Sequence, residues 1–573
     1  MNFVVKPYPV SGDKCLYNKN DLQEIRMSKT KKYSGDTIII GGGLAGLTVA
    51  LELLGRNQRV VMLDRDVPHN FGGLARESFG GINMINTPVQ RRMGIRDSVS
   101  LAYKDWLSFA GFGPDDIWPK RWVEKYLERS IPDIYEWLRN RHVNFFPVVH
   151  WVERGYHIAG NSVPRFHMVW GTGKGLIESL IHCLLDHPNR NRLTIHWQHR
   201  VTQLETQNGH VSGCSGQIET TGENFLAQGN CVVVATGGIN GNLDLIRKNW
   251  HSDWGAPPKT ILNGSHKYAI GDLHQCVERI GGNLTHLNLM WNYAAGVSHP
   301  TPRMPFHGLS VVPPRSALWL NYQGKRFGPP HLMAGFDTRF LIQQICRQPY
   351  QYSWQVMNYK IAVKELAISG SEHNKAIANK DLFGFLKDIL LGNADLVDHL
   401  IEDCPDVLVA NSIDELVEKM NALENNHFVK TDIIQKEIMN YDQCIQNKNF
   451  AGDDQLNRLK KLREYRGDRA RTCKFQPIMD KKAFPLIAMR YYVLSRKSLG
   501  GIQTDLQSRV LSANGKPLSG LYAVGESAGF GGGGIHGKRA LEGTFLGSCI
   551  LTGLAASRDI LSNDSTRILQ KQL

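Results

Sequence analysis

Apolar positions early in the chain fall into two short continuous runs with a helically spaced stretch between them. Asp36-Thr37-Ile38-Ile39-Ile40 is a β-branched run, Leu47 to Leu54 has helical spacing, and Arg59-Val60-Val61-Met62-Leu63-Asp64 is a second run. Short apolar runs bounded by turn residues predict buried strands of a parallel sheet. More strands are expected at Leu193-Thr194-Ile195-His196-Trp197, at Val201 to Leu204, at Asn230 to Ala235, and again at Leu521-Tyr522-Ala523-Val524. From Ser98 to Asn140 the pattern is helical with aromatic anchors, and Leu176 to Leu185 predicts another helix. Residues 259–339 mix Pro, Gly, aromatics and short β runs, whereas residues 340–465 are helical and polar. The sheet is thus begun near residue 36 and completed near residue 525, with a different kind of structure between.

The turns carry the chemistry. Gly41, Gly43 and Gly46 stand in GxGxxG register between the first run and the helical stretch, where glycines permit the tight turn, backbone approach to a pyrophosphate, and helix packing on the strand. The helix N-terminus then offers free N–H groups to the anion. Asp64, ending the second strand, can accept hydrogen bonds from an adenosine ribose. A second glycine-studded loop, Phe71 to Gly81, could lie along the pyrophosphate and a flavin. A third, Gly525-Glu526-Ser527-Ala528-Gly529-Phe530-Gly531-Gly532-Gly533-Gly534, follows the last strand. Two dinucleotide-type glycine segments at opposite ends of the chain suit FAD better than a nicotinamide cofactor alone, for which the late segment would have no task.

The expected fold class is α/β: a discontinuous Rossmann-like FAD-binding domain with an inserted α+β cap that carries a helical insertion. The boundaries read as a flexible N-terminal extension at 1–34, a first FAD-binding part at 35–275, a cap at 276–480 with its helical insertion at 340–465, and a second FAD-binding part at 481–573.

The chain has 573 residues, 42% of them hydrophobic and 21% charged, enough for a large core split over several domains. No apolar run reaches the roughly eighteen residues of a membrane span, and no signal-peptide core is seen, so cytoplasmic residence is expected. Ten cysteines lie scattered without a CxxC pair, which reads as reduced packing thiols and gives no metal site. The net charge of +14 could attract an anionic substrate, yet the basic run Lys29-Thr30-Lys31-Lys32 is too short for nucleic-acid binding, which is not expected.

Val234-Ala235-Thr236-Gly237-Gly238, Gly271-Asp272-Leu273-His274, Gly324-Lys325-Arg326-Phe327, Lys497-Ser498-Leu499-Gly500-Gly501 and Gly525-Glu526-Ser527-Ala528-Gly529 resemble the fumarate reductase and succinate dehydrogenase flavoprotein superfamily, which includes 3-ketosteroid Δ1-dehydrogenases. The nearest resemblance is to its steroid-dehydrogenase-like bacterial subgroup. The resemblance implies that Gly41, Gly43, Gly46 and Asp64 hold the ADP half of FAD, that Gly72, Gly73, Gly80 and Gly81 line the pyrophosphate and flavin, and that Glu526 binds the ribitol. Leu44, Ala45, Arg65, Ser78, Val201, Ala235, Thr236, Gly237, Asp272 and Gly525 are further cofactor-binding residues that it implies. Thr544, Phe545 and Leu546 match positions whose amides face the flavin C2 carbonyl. Covalent members use a histidine in the loop that here offers Arg76, Glu77 and Ser78, so FAD is expected to be non-covalent.

The resemblance also implies an FAD-dependent oxidoreductase acting on a CH–CH bond beside a carbonyl or carboxylate, with a small-molecule substrate and an unidentified electron acceptor or donor. His299, in His299-Pro300-Thr301, matches a substrate-carboxylate contact of fumarate reductases. Arg339 resembles their proton-donating arginine, and Arg539 their carboxylate-binding arginine within one residue. Lys497 stands where those enzymes carry histidines and a threonine. A ketosteroid reaction instead needs phenols such as Tyr293, and lacks here the Tyr-Pro-Gly element of such enzymes. Ketosteroid Δ1-dehydrogenation and a non-catalytic flavin-binding subunit are the alternatives.

Overall fold

A computed structural model of the chain describes residues 30–572. Thr37–Ile40, Val60–Leu63 and Cys231–Val234 are buried at every position, as strands covered on both faces must be. They lie inside a six-stranded sheet ordered Arg509–Leu511, Pro517–Ala523, Cys231–Val234, Thr37–Ile40, Val60–Leu63, Leu193–His196. Every pairing is parallel except that of the edge strand Arg509–Leu511 with Pro517–Ala523. Ala523 sits opposite Val234, and Val234 opposite Ile40, so the C-terminal strand enters the sheet two places from the first strand. The nucleotide domain is discontinuous, with the cap inserted between its halves.

The turn after Thr37–Ile40 needs its glycines for steric reasons. Gly41 has φ +104°, and a Cβ there would lie 2.4 Å from the Ala235 carbonyl oxygen. At Gly46 a Cβ would meet the Gly41 oxygen at 2.1 Å, which lets helix Leu44–Leu54 press onto the strand. That helix packs against the final helix, Thr544–Gln572, where Gly553 meets Thr48.

A four-stranded sheet, Lys31–Ser34, Asn224–Gln228, His210–Ile218, His199–Gln207, flanks the domain. Lys31–Ser34, which the sequence reading gave to a flexible extension, pairs in parallel with Asn224–Gln228 and is part of the body. Residues 1–29 of that expected extension lie outside the described residues.

The cap is built on an eight-stranded sheet whose spine is the 13-residue strand Leu486–Ser498. Met290–Ser298 and Ser353–Asn358 pair with it antiparallel, and Ile261–Asn263 in parallel. Ile261–Asn263 and Leu486–Ser498 therefore fall beyond the expected cap borders of 276 and 480. Hydrophobic periodicity cannot show which sheet a buried strand joins. The segment read as helical, 340–465, holds helices such as Thr338–Cys346, Leu382–Leu391 and Thr431–Gln446, but Ser353–Asn358 and Val407–Ala410 return from it to the sheet.

Candidate active site

A cavity of about 440 Å³ runs between the nucleotide domain and the cap, and all three glycine segments reach it. Backbone bridging joins Gly43 to Gly72, so the first two loops face one another across its floor. Gly43 has ordinary helical-entry geometry, φ −72°, and a Cβ there would meet nothing nearer than the Gly72 oxygen at 4.0 Å. The space beside Gly43 is thus open to a ligand rather than filled by protein, the opening that a pyrophosphate lying on backbone requires. Asp64 is held by the amides of Gly42 (2.6 Å) and Asp66 (2.7 Å), which fix its carboxylate at the cavity edge.

Of the residues expected to hold FAD, all but Gly46, Gly525 and Thr544 line the cavity. Those three shape it from behind. Gly46 serves helix packing, Gly525 donates its amide to Thr552 Oγ1 at 2.9 Å, and the Thr544 hydroxyl is taken up by His536 Nε2 (2.8 Å) and the Leu541 carbonyl (2.7 Å). Phe545 and Leu546, in the first turn of the last helix, do reach the cavity, where amides of a first turn have no intrahelical acceptor. Arg65 and Asp272 reach it as partners in one network: Arg65 pairs with Glu219 at 2.7 Å and with Asp272 at 3.3 Å, and Asp272 also receives Arg200 at 3.0 Å. Arg65 further lies 4.4 Å over the Tyr268 ring, another lining residue. Glu526 accepts from the Ser498 amide at 2.8 Å, and burial pushes its carboxyl up to about 7.

The cavity, the open glycine cradle and the carboxylate at its edge fit FAD. The family model described as "FAD binding domain" matches residues 36–546. The chain belongs to this FAD-binding family. A KsdD-like steroid dehydrogenase of Mycobacterium tuberculosis is 41% identical over 552 residues, covering 93% of this chain and 96% of the relative. A fumarate reductase of Schizosaccharomyces pombe is 26% identical over 569 residues, covering 95% and 93%. Among solved structures, a 3-ketosteroid delta1-dehydrogenase from Sterolibacterium denitrificans in complex with 1,4-androstadiene-3,17-dione has the same fold, with a TM-score of 0.68 at 15% identity over 92% of this chain and all of that one. This family member is an FAD-dependent oxidoreductase acting on CH–CH groups.

Only two of the five expected catalytic residues of this flavoprotein line the cavity. Lys497 and Tyr293 do so from neighbouring antiparallel strands, with Trp291 in register with Lys497. The Lys497 ammonium donates to the Tyr293 hydroxyl at 3.5 Å and stands 3.9 Å over the Phe545 ring. Tyr293 donates to Glu542 Oε2 at 3.2 Å, as Trp291 Nε1 does at 2.9 Å, and Lys497 lies 4.0 Å from the other Glu542 oxygen. Burial lowers the Lys497 ammonium to about 8 despite Glu542 nearby, and raises the Tyr293 phenol well above its ordinary value. Nothing in the spacing singled out Glu542.

Arg339, Arg539 and His299 do not line the cavity. Buried Arg339 pairs with Asp253 at 3.0 Å and lies 4.7 Å over the Trp254 ring. Arg539 turns to Asp337 at 3.4 Å. His299 stacks on His307 at 4.1 Å between centroids, accepts from the Thr301 amide at 3.0 Å, and points Nε2 toward Glu372 at 3.7 Å. A counter-ion from another segment holds each arginine, while His299 is held by the Thr301 amide and the His307 ring, and short motif matches carry no information about such partners. The cap wall of the cavity is polar in a way the sequence did not signal: His150, Glu153, Arg315, Glu365, Asp468 and Arg471 line it.

Proposed function

We propose that the substrate is a flat, hydrophobic ketone of the 3-ketosteroid type, and that Lys497, with Tyr293 and Glu542, carries the proton. The carrying observation is the partly buried Lys497 ammonium, 3.5 Å from Tyr293 and facing the same cavity as the glycine loops. Bound FAD supplies the acceptor for the hydride that leaves carbon. In the dehydrogenation direction Lys497 takes the proton from the carbon beside the carbonyl. Burial supports this role, because an amine held near 8 exchanges its proton readily around neutral pH. The Tyr293 hydroxyl remains a phenol, and on turning from Glu542 it is the donor that can polarise the ketone oxygen while the neutral Lys497 amine takes the proton. Glu542 orients Tyr293 and balances the charge on Lys497.

Apolar walls support the substrate class. Trp319, Leu341, Ala294, Ala295, Val311 and Met168 line the cavity between the two domains. The 41% identity to a relative named a steroid dehydrogenase points the same way. The fumarate-type reading draws its cationic set from Arg339, Arg539 and His299, which are engaged by Asp253, Asp337 and Glu372. The nine described cysteines are all free thiols, which supports a reducing, cytoplasmic setting. No helix among the described residues is long and apolar enough to cross a membrane.

The test is anaerobic titration of the yellow holoprotein with 4-androstene-3,17-dione and with succinate, followed by absorbance. Bleaching by the steroid and not by the dicarboxylate is expected. Bleaching by succinate alone would overturn the substrate assignment.

A further inference from the structure

Two guanidinium groups line the cap side of the cavity, those of Arg315 and Arg471, with the carboxylates of Asp468 and Glu365 and two groups that are largely uncharged at neutral pH, while Arg154 lies outside the lining. Burial drives His150 down to about 4 and Glu153 up to about 8, so the first is a neutral imidazole and the second mostly a neutral acid. Arg154 and Arg315 both pair with Asp468, Arg315 at 2.6 Å. Glu365 is occupied by its own neighbours: the amides of Arg315 (2.8 Å), Ser316 (3.1 Å) and Cys473 (2.6 Å) and the Ser316 hydroxyl (2.6 Å).

Arg471 has no such partner. Its guanidinium lines the cavity without a hydrogen bond or ion pair among the described residues, although Glu365, Asp388 and Arg315 all act on it through space. Asp388, on Leu382–Leu391, does not itself reach the cavity. A guanidinium held in a confined space with its fork of donors unspent is a receptor for an oxyanion, because a bidentate carboxylate would satisfy donors and charge together.

We infer that Arg471 is a specificity-determining residue that binds an ionised carboxylate on the substrate, so that the preferred ligand is a polycyclic ketone bearing an acidic side chain rather than a neutral one. The inference rests on the ketone reading above for the hydrophobic body of the ligand, but not for its charge. The acid contacts Arg471 while the carbonyl is served by Lys497 and Tyr293, which line the same cavity.

The experiment uses the flavin-loaded full chain and two probes, 3-oxochol-4-en-24-oic acid and its methyl ester. Binding is measured by calorimetry and turnover by anaerobic flavin bleaching, for the wild type, Arg471→Gln and Arg471→Lys, with flavin content and Tm recorded for each. The acid is expected to bind at least tenfold more tightly than the ester. In Arg471→Gln the ratio should fall to within about twofold, and Arg471→Lys should keep part of it. Equal binding of acid and ester by the wild type would overturn the inference, as would a ratio unchanged in a folded, flavin-loaded Arg471→Gln. If both ketones bleach the flavin but bind equally, the anion site falls and the ketone reading stands. If the acid binds preferentially through Arg471 but neither ketone bleaches the flavin, the anion site stands and the ketone reading falls.

Discussion

The Tyr293 hydroxyl donates to Glu542 across 3.2 Å although the two stand 249 positions apart in the chain. Lys497 stands over the same pair, 3.5 Å from the phenol and 4.0 Å from the carboxylate. Glu542 favours the protonated lysine, while burial opposes it and prevails. With Lys497 as the base, dehydrogenation should accelerate as pH rises through about 8 and level off above. Glu542→Gln removes the charge that raises the Lys497 value, so the limb should move to lower pH. A pH profile of kcat/KM for both proteins checks this, and an unmoved limb would separate Lys497 from the titration.

Replacing the lysine isolates its role. Lys497→Met should keep its flavin and lose about 10²- to 10⁴-fold in turnover, the range ascribed to a positioned proton carrier. Single-turnover bleaching under anaerobic conditions is the measurement, with Tyr293→Phe beside it expected to lose less, since the lysine remains.

The glycine turn separates cofactor contact from folding. At Gly43 a Cβ has 4.0 Å of clearance and φ is −72°, so Gly43→Ala should fold with stability within about 0.5 kcal/mol of the wild type and yet lose at least about tenfold in FAD affinity. Gly46→Ala places its methyl 2.1 Å from the Gly41 oxygen and should lower the stability of the apoprotein as well. Thermal unfolding of apoproteins and flavin titration distinguish the two.

Glu526 should leave a pH signature. Its carboxyl, ordinarily near 4.5, is raised by burial to about 7, so the folded chain holds a proton that the unfolded chain releases between those values. Its contribution to stability therefore falls as pH rises through this window. Glu526→Gln should make the apoprotein more stable than wild type above pH 7, by about 1 kcal/mol or more, with no such gain below pH 4.5. FAD loading should weaken, because an amide nitrogen donates where the carboxylate only accepts.

Arg339 is expected to be structural here. Arg339→Ala leaves buried space beside Trp254 and removes the partner of Asp253, so Tm should fall while kcat/KM of the folded enzyme stays within about threefold. Loss of turnover with flavin and fold intact would restore the fumarate-type assignment of this arginine.

The sequence by itself determined the nucleotide domain, because its turns are local demands. Gly41 must adopt φ +104°, Gly46 must admit the Gly41 carbonyl, and β-branched runs such as Thr37–Ile40 suit a sheet covered on both sides. These constraints lie within a few residues of one another, and so spacing reveals them. Only the tertiary structure decided which polar side chains face the cavity. Lys497 and Tyr293 meet because Leu486–Ser498 pairs antiparallel with Met290–Ser298, and Glu542 joins them from the loop before the final helix. Arg339, Arg539 and His299 are turned to other partners by Asp253, Asp337 and Glu372. Charged side chains go where distant counter-ions and burial balance, and that balance is set by strand register and domain closure, neither of which is written in local periodicity.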